Sequence, residues 1–241
     1  MTKPGQNLLF AALDATWPPA RIIDRDGWRL REGLGGGQRV SAATALEDHA
    51  DISDGERGMR ALGQHPLFMV RPGEEAIDSK LAKRGYDVVD PVTLYLVPTA
   101  DIAQAQPAAI TMLSWPPLAV QRELWGQAGI SEARIAVMER ATEPKTAILC
   151  RSRDIPAGVV FVAIDDDIAM LHALEVSPTL QRQGLGEMAV RAVADWAQKH
   201  GARWLTLAVT QANTAANALY HKLKMEPVTS YHYRRAPGVT T

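Results

Sequence analysis

Val176-Ser-Pro178-Thr-Leu-Gln181-Arg182-Gln183-Gly184-Leu185-Gly186-Glu187 is the stretch on which the reading of this chain turns. It follows the apolar run Ile168–Val176, which reads as a strand, and leads into a helical periodicity. Leu185, Met188, Ala189, Ala192, Val193, Trp196 and Ala197 recur at the spacing that buries one helix face. The loop therefore opens a helix. Gly184 and Gly186 remove side chains where the first-turn N–H groups point outward. Those donors lack intrahelical acceptors, and the macrodipole adds about half a positive charge there. A phosphate or pyrophosphate fits such a cradle.

Composition narrows the partners. With 26 basic and 27 acidic side chains in 241 residues, the chain lacks the basic excess of a nucleic-acid binder. No apolar run approaches the roughly 18–20 residues of a membrane span. The apolar stretch within Met1–Phe10 is too short for a signal peptide, and Asp14 soon interrupts it. A cytoplasmic protein with neither a nucleic-acid nor a membrane partner is expected. Cys150 is the single cysteine and lies in the apolar run Thr146–Cys150, which predicts a buried, inert thiol. His49, His65, His172, His200, His221 and His232 show no metal-ligand spacing, so no metal is expected.

The C-terminal half reads as helices at Pro117–Trp125 and Ser131–Arg140, then strands at Thr146–Arg151, Gly158–Ala163 and Ile168–Val176, an antiparallel meander. After the glycine-loop helix, stopped by Gly201, come a strand at Trp204–Val209, a helix at Asn213–Lys224 and a strand at Tyr231–Arg234. The N-terminal half predicts a helix ending near Leu62-Gly63, a strand at Leu67–Val70, a helix over Glu74–Arg84 and a strand at Thr93–Val97. At a fixed offset of 139, Leu67–Val70 meets Thr206–Val209 and the following helices coincide. Such a long-period echo suggests duplication. Pro98–Pro107 reads as the linker between residues 1–100 and 108–241.

Gly184-Leu-Gly186-Glu-Met-Ala189 also fits G-x-G-x-x-A, the dinucleotide fingerprint. That fingerprint requires a tight strand-to-helix turn and an acid about 20 residues on. Here seven residues separate Val176 from Gly184, and the next strand ends Ala208-Val209-Thr210 without a carboxylate. A nicotinamide cofactor fits poorly. Gly33-Leu-Gly35-Gly36-Gly37 opens no helix and reads as a flexible turn.

The Val-x-Pro strand end followed by Gln181-x-x-Gly184-x-Gly186 instead resembles the acyl-CoA motif of the GNAT superfamily of N-acetyltransferases. Asn213-x-x-Ala216-x-x-Leu219-Tyr220 resembles the second block of that family, in the family's order. The resemblance covers roughly residues 110–235. It implies an α+β fold with a mixed, mostly antiparallel central sheet flanked by helices, here duplicated with a degenerate N-terminal half. It implies a strand around Leu174, Glu175 and Val176 that splays from its neighbour, so that its backbone pairs with the pantetheine arm of acetyl-CoA. Gln181 would belong to the cofactor-binding loop, and the pyrophosphate would rest on the amides of Arg182, Gln183, Gly184, Leu185, Gly186 and Glu187. Asn213, which is equally a helix N-cap, would lie near the pantetheine, and Tyr220 would protonate the leaving thiolate.

The family implies acetyl transfer to a primary amine of a small molecule or peptide by direct attack in a ternary complex. A non-catalytic acyl-CoA-binding or regulatory module is the alternative. Relatives carry a glutamate as base where this chain has Ala208 or Met170. Met-Leu-His172-Ala-Leu-Glu175-Val resembles the arylalkylamine N-acetyltransferase strand. His172 is thereby a candidate base, or else a core histidine, and alternation puts Glu175 on the opposite face. Trp115 and Trp125 either line an acceptor pocket or pack. Lys224 stands where the family has a helix-ending glycine, which predicts a rearranged cap. In the N-terminal half, Ala45, Glu47, Glu74 and Leu81 stand opposite Gly184, Gly186, Asn213 and Tyr220, so only the C-terminal half should bind CoA. Neither the acceptor's identity nor an oligomeric state is legible in the sequence.

Overall fold

The structure, a computed structural model, describes residues 2–238. In chain order its elements are α1 (Gln6–Thr16), β1 (Arg21–Arg25), β2 (Trp28–Glu32), β3 (Thr44–Ala45), α2 (Ile52–Ala61), β4 (Leu67–Val70), α3 (Glu75–Lys83) and β5 (Asp87–Pro98). They continue with α4 (Thr99–Ile102), β6 (Thr111–Ser114), α5 (Ala119–Gln127), α6 (Glu132–Arg140), β7 (Lys145–Ser152), β8 (Ile155–Asp165) and β9 (Ile168–Val176). The last are α7 (Leu185–Lys199), β10 (Trp204–Thr210), α8 (Thr214–Lys222) and β11 (Glu226–Arg235).

These elements form two units. The first comprises residues 2–18, 94–208 and 214–228, and the second 19–93, 209–213 and 229–238. In the first unit the strands lie in the order β5-β10-β9-β8-β7-β6. The meander β7-β8-β9 is antiparallel, and β10 joins β9 in parallel. This is the expected α+β architecture. The uninterrupted apolar run Ala157–Ile164 of β8 is buried on both faces, as a central strand must be. The α7 stripe, from Leu185 to Ala197, is buried as its spacing requires, except that Met188 is half-buried. The helix ends where Gly201 takes φ +89° and Ala202 N–H donates to Ala197 O at 3.0 Å.

The second unit holds the antiparallel sheet β1-β2-β3 and the antiparallel pair β4-β11. Trp28, Leu30, Phe68, Val70, Ile77, Leu81 and Tyr86 form its core. Neither β1-β2 nor α1 was expected from the sequence. The linear boundary at 98–107 is not where the units divide. β4 takes its neighbour β11 from the far end of the chain, while β10 takes β5 from the N-terminal half. Strand pairing, not chain order, thus sets the units. The expected linker also includes α4, whose Thr99 is buried, with its N–H donating to Arg203 O at 2.9 Å and its Oγ1 to Ala202 O at 2.8 Å.

The period of 139 recurs in the elements themselves: added to the bounds of α3 it gives those of α8, and added to Asp87 it gives Glu226, the first residue of β11. The two helix ends are closed alike. Tyr86 N–H donates to Leu81 O and Gly85 N–H to Ala82 O, and Met225 N–H donates to Tyr220 O and Lys224 N–H to His221 O. This is the Schellman closure, which places one residue in the left-handed region. Gly85 adopts φ +79° there, and Lys224 adopts φ +57°.

The cap is therefore not rearranged; Lys224 accepts the strain. A Cβ in that region costs about 1 kcal/mol. Lys224 is exposed, so Lys224→Gly should stabilise the protein by about 1 kcal/mol, less the backbone entropy glycine adds to the unfolded chain. Calorimetry should show Tm rising by roughly 2 °C, and an unchanged or lowered Tm would contradict this.

Candidate active site

The site is built where two strands part. Pairing of β10 with β9 runs from Trp204 opposite Ile168 to Leu207 opposite Leu171 and goes no further, while β9 continues to Val176. On the β10 side, the backbone of Leu174, Glu175 and Val176 is left without a strand partner in this register. The splay expected from the sequence is present.

The face assignment of Glu175 is corrected. Phe161 lies opposite His172 and Val159 opposite Glu175, so β9 holds one more residue than β8 across this stretch. Phe161 and Val159 share a face of β8, and directly opposed residues share a face of the sheet. Glu175 therefore lies on the same face as His172. The extra residue is a β-bulge, with Ala173 at φ +51°. Trp125 Nε1 donates to Ala173 O at 2.9 Å, and Trp125 is fully buried, so it packs and does not present its ring to solvent.

Beyond Val176, a single 3₁₀ turn at Pro178–Leu180 leads into the glycine loop. Arg182 and Gly184 both have positive φ, +62° and +83°, which turns the loop back onto the helix axis. The first intrahelical bond of α7 runs from Met188 N–H to Gly184 O, so Leu185, Gly186 and Glu187 present N–H groups without intrahelical acceptors. A Cβ at Gly184 would meet nothing within 4 Å, and one at Gly186 would lie 3.1 Å from Leu219 Cδ2. Gly186 thus also lets the start of α7 approach α8. Glu187 reinforces that approach through Lys222 Nζ at 2.7 Å and Arg191 at 3.1 Å, and these cations hold its carboxyl below the ordinary value. Gln181, Arg182 and Gln183 are exposed along the loop.

Tyr220 sits in the last turn of α8, 5 % exposed. Burial, followed by the nearby charge of Glu175 and by Tyr95, pushes its hydroxyl pKa upward, so the phenol stays protonated through the neutral range. The Tyr95 ring lies 5.6 Å from it. Tyr95 OH donates to Asn217 Oδ1 at 3.0 Å and accepts from His221 Nε2 at 3.0 Å, a network that fixes the buried side of α8. Sequence reasoning missed Tyr95, because β5 is distant in the chain and only strand pairing brings it to α8. Asn213 lies one residue ahead of α8 and is exposed, with its N–H donating to Thr210 O at 3.0 Å.

Glu175 is half-buried, and that desolvation raises its carboxyl above the ordinary value, with Arg134 pulling in the opposite direction. Its charge also reaches Tyr220. A cavity of about 290 Å³ adjoins it, lined by Leu124 and Gln127 of α5 and Ala128 at its cap, with Val176, Ser177, Pro178 and Gln181. His172 has other company. It is 4 % exposed, its Nε2 is 2.9 Å from Thr16 Oγ1, and Trp17 and Phe161 pack on its ring at 4.9 and 6.2 Å. Thr16 gives its own proton to Ala12 O, so His172 Nε2–H is the donor of that bond. These are the surroundings of a packed core histidine. Among the described residues, no group of three or more His, Cys, Asp or Glu is placed to hold a metal ion, and no helix is long and apolar enough to cross a membrane.

Residues 111–225 match the model of the acetyltransferase (GNAT) family. A curated relative, the uncharacterized N-acetyltransferase YobR of Bacillus subtilis, is 23% identical over 244 residues, covering 91% of this chain and 94% of that protein. Among solved structures, a GCN5-related N-acetyltransferase from Kribbella flavida superposes with a TM-score of 0.66 at 19% identity, covering 98% of each chain. A tandem GNAT protein from the clavulanic acid biosynthesis pathway superposes with a TM-score of 0.58 at 14% identity, covering 100% of this chain and 91% of that one. The matched segment begins at β6 and ends at the cap of α8, and over these residues the chain carries a domain of the acetyltransferase (GNAT) family.

Proposed function

We propose that the protein moves an acetyl group from acetyl-CoA to a primary amine by direct attack in a ternary complex, at one site per chain. The observation that carries this reading is the parting of β9 from β10 beside the glycine loop that opens α7, with Glu175 on the parted stretch of β9. When bound, acetyl-CoA supplies the thioester. The first-turn amides of α7 and the open space at Gly184 fit its pyrophosphate, and the unpaired edge of Leu174–Val176 fits the pantetheine amides.

Glu175 acts as base, and its raised pKa suits it better than an ordinary glutamate to draw a proton from an ammonium directly or through water. Tyr220, protonated, donates its hydroxyl proton to the departing thiolate sulfur. In this reading His172 holds the strand rather than the proton. The cavity beside Glu175 would admit a small amine or one side chain of a peptide. The N-terminal half is read as a degenerate copy, its Leu81 standing at the place of Tyr220 in a helix closed the same way.

Titration calorimetry tests the site count. One CoA should bind per chain, and Gln181→Glu/Gln183→Glu, which sets two carboxylates beside the amide cradle, should weaken binding roughly tenfold or more. Two equivalent sites, or unchanged affinity in the folded variant, would overturn this reading. CoA binding without thiol release on any amine, peptide or aminoglycoside would favour a regulatory module instead.

A further inference from the structure

The geometry points to Trp125 as a positioning residue. Its indole N–H clamps the β9 bulge at Ala173 and so keeps Glu175 on the face that His172 shares, beside the cavity. This rests on the role given to Glu175 above.

A regular β9 would alternate without interruption, and residues 172 and 175 would then point to opposite faces. One additional residue reverses that phase. The reversal has a cost, because Ala173 carries a Cβ at φ +51°, where only glycine is at ease. A residue held there persists only when its surroundings over-determine it. Two features do so. Gly158 lies opposite Val176, and a Cβ on it would stand 2.8 Å from Glu175 O, so the backbone closes tightly just past the bulge. On the other side of the extra residue, Trp125 Nε1 meets Ala173 O at 2.9 Å. That carbonyl belongs to the bulged residue, and a bulge disrupts the ladder locally. The donor comes from a fully buried side chain on α5, the helix that also walls the cavity beside Glu175. The helix that walls the cavity therefore also sets, through Trp125, the phase of the carboxylate beside it.

The test separates the hydrogen bond from the packing. Trp125→Phe keeps a buried ring and deletes the N–H. Relaxation of the bulge should then lower kcat roughly tenfold and move the acidic limb of the pH–rate profile to lower pH, as Glu175 turns towards solvent. Ala173→Gly removes the strain that the clamp opposes. Trp125→Phe/Ala173→Gly should therefore recover most of the lost kcat and return the limb. Recovery marks a clamp; its absence means that Trp125 only packs, and overturns the inference. Should Trp125→Phe alone fail to fold, recovery of the fold by Ala173→Gly is the same signal, and failure to recover it refutes the clamp. Amide hydrogen exchange across residues 173–175 reads the bulge without reference to catalysis. If exchange rises in Trp125→Phe and falls again in the double variant while Glu175→Gln leaves the wild-type pH profile intact, the clamp stands and the role of Glu175 fails. If Glu175→Gln abolishes the limb but exchange is unchanged in Trp125→Phe, the clamp fails alone.

Discussion

Tyr220→Phe is expected to lower turnover by roughly 10²–10⁴-fold while leaving the fold and CoA affinity close to wild type. The ring is buried against Tyr95, and phenylalanine keeps that packing. What disappears is one hydroxyl, which no protein group among the described residues engages in a hydrogen bond and which burial keeps protonated. An interaction used only as the thiolate departs reduces kcat and kcat/KM together. Steady-state kinetics with thiol detection, under conditions where chemistry limits the rate, would show this. Near-normal turnover would make Tyr220 a packing residue and leave the thiolate to take its proton from water.

Glu175→Gln should cost about 10²-fold or more in kcat and abolish the acidic limb of the pH–rate profile. The sign follows from the base role. Only the carboxylate accepts a proton, so activity rises as pH passes through the Glu175 pKa, and burial places that rise above the ordinary glutamate value. Glutamine keeps the shape and has no such titration. His172→Gln supplies the contrast. It removes an imidazole donor to Thr16 between two aromatic rings, so it should lower stability and leave the limb in place. Loss of the limb in His172→Gln, with its retention in Glu175→Gln, would exchange the two roles.

Much of this site was legible because its chemistry is local. A helix start needs unencumbered amides, and Gly184 and Gly186 announce it within a few residues of a Val-x-Pro strand end. The α7 stripe and the position of Tyr220 follow from a period of 3.6 residues, and β4 and β9 were expected at the bounds they have. The spacing of 139 between the helices of the two halves is likewise a property of the chain alone, and the elements keep it.

Three things were decided only by tertiary structure. The bulge at Ala173 leaves no mark on apolar alternation, because it is made by the register of β8 and by a Trp125 N–H 48 residues away; alternation alone put Glu175 on the wrong face. The buried, hydrogen-bonded placement of His172 depends on Thr16, 156 residues distant, on a helix the sequence reading missed. The division into units depends on β11 joining β4 and β5 joining β10, which contiguous sequence cannot express. Backbone hydrogen bonds of a helix close within four residues and can be read from their neighbours. Those of a sheet close on whichever strand arrives, and here the register against β8 decides on which face of β9 Glu175 lies.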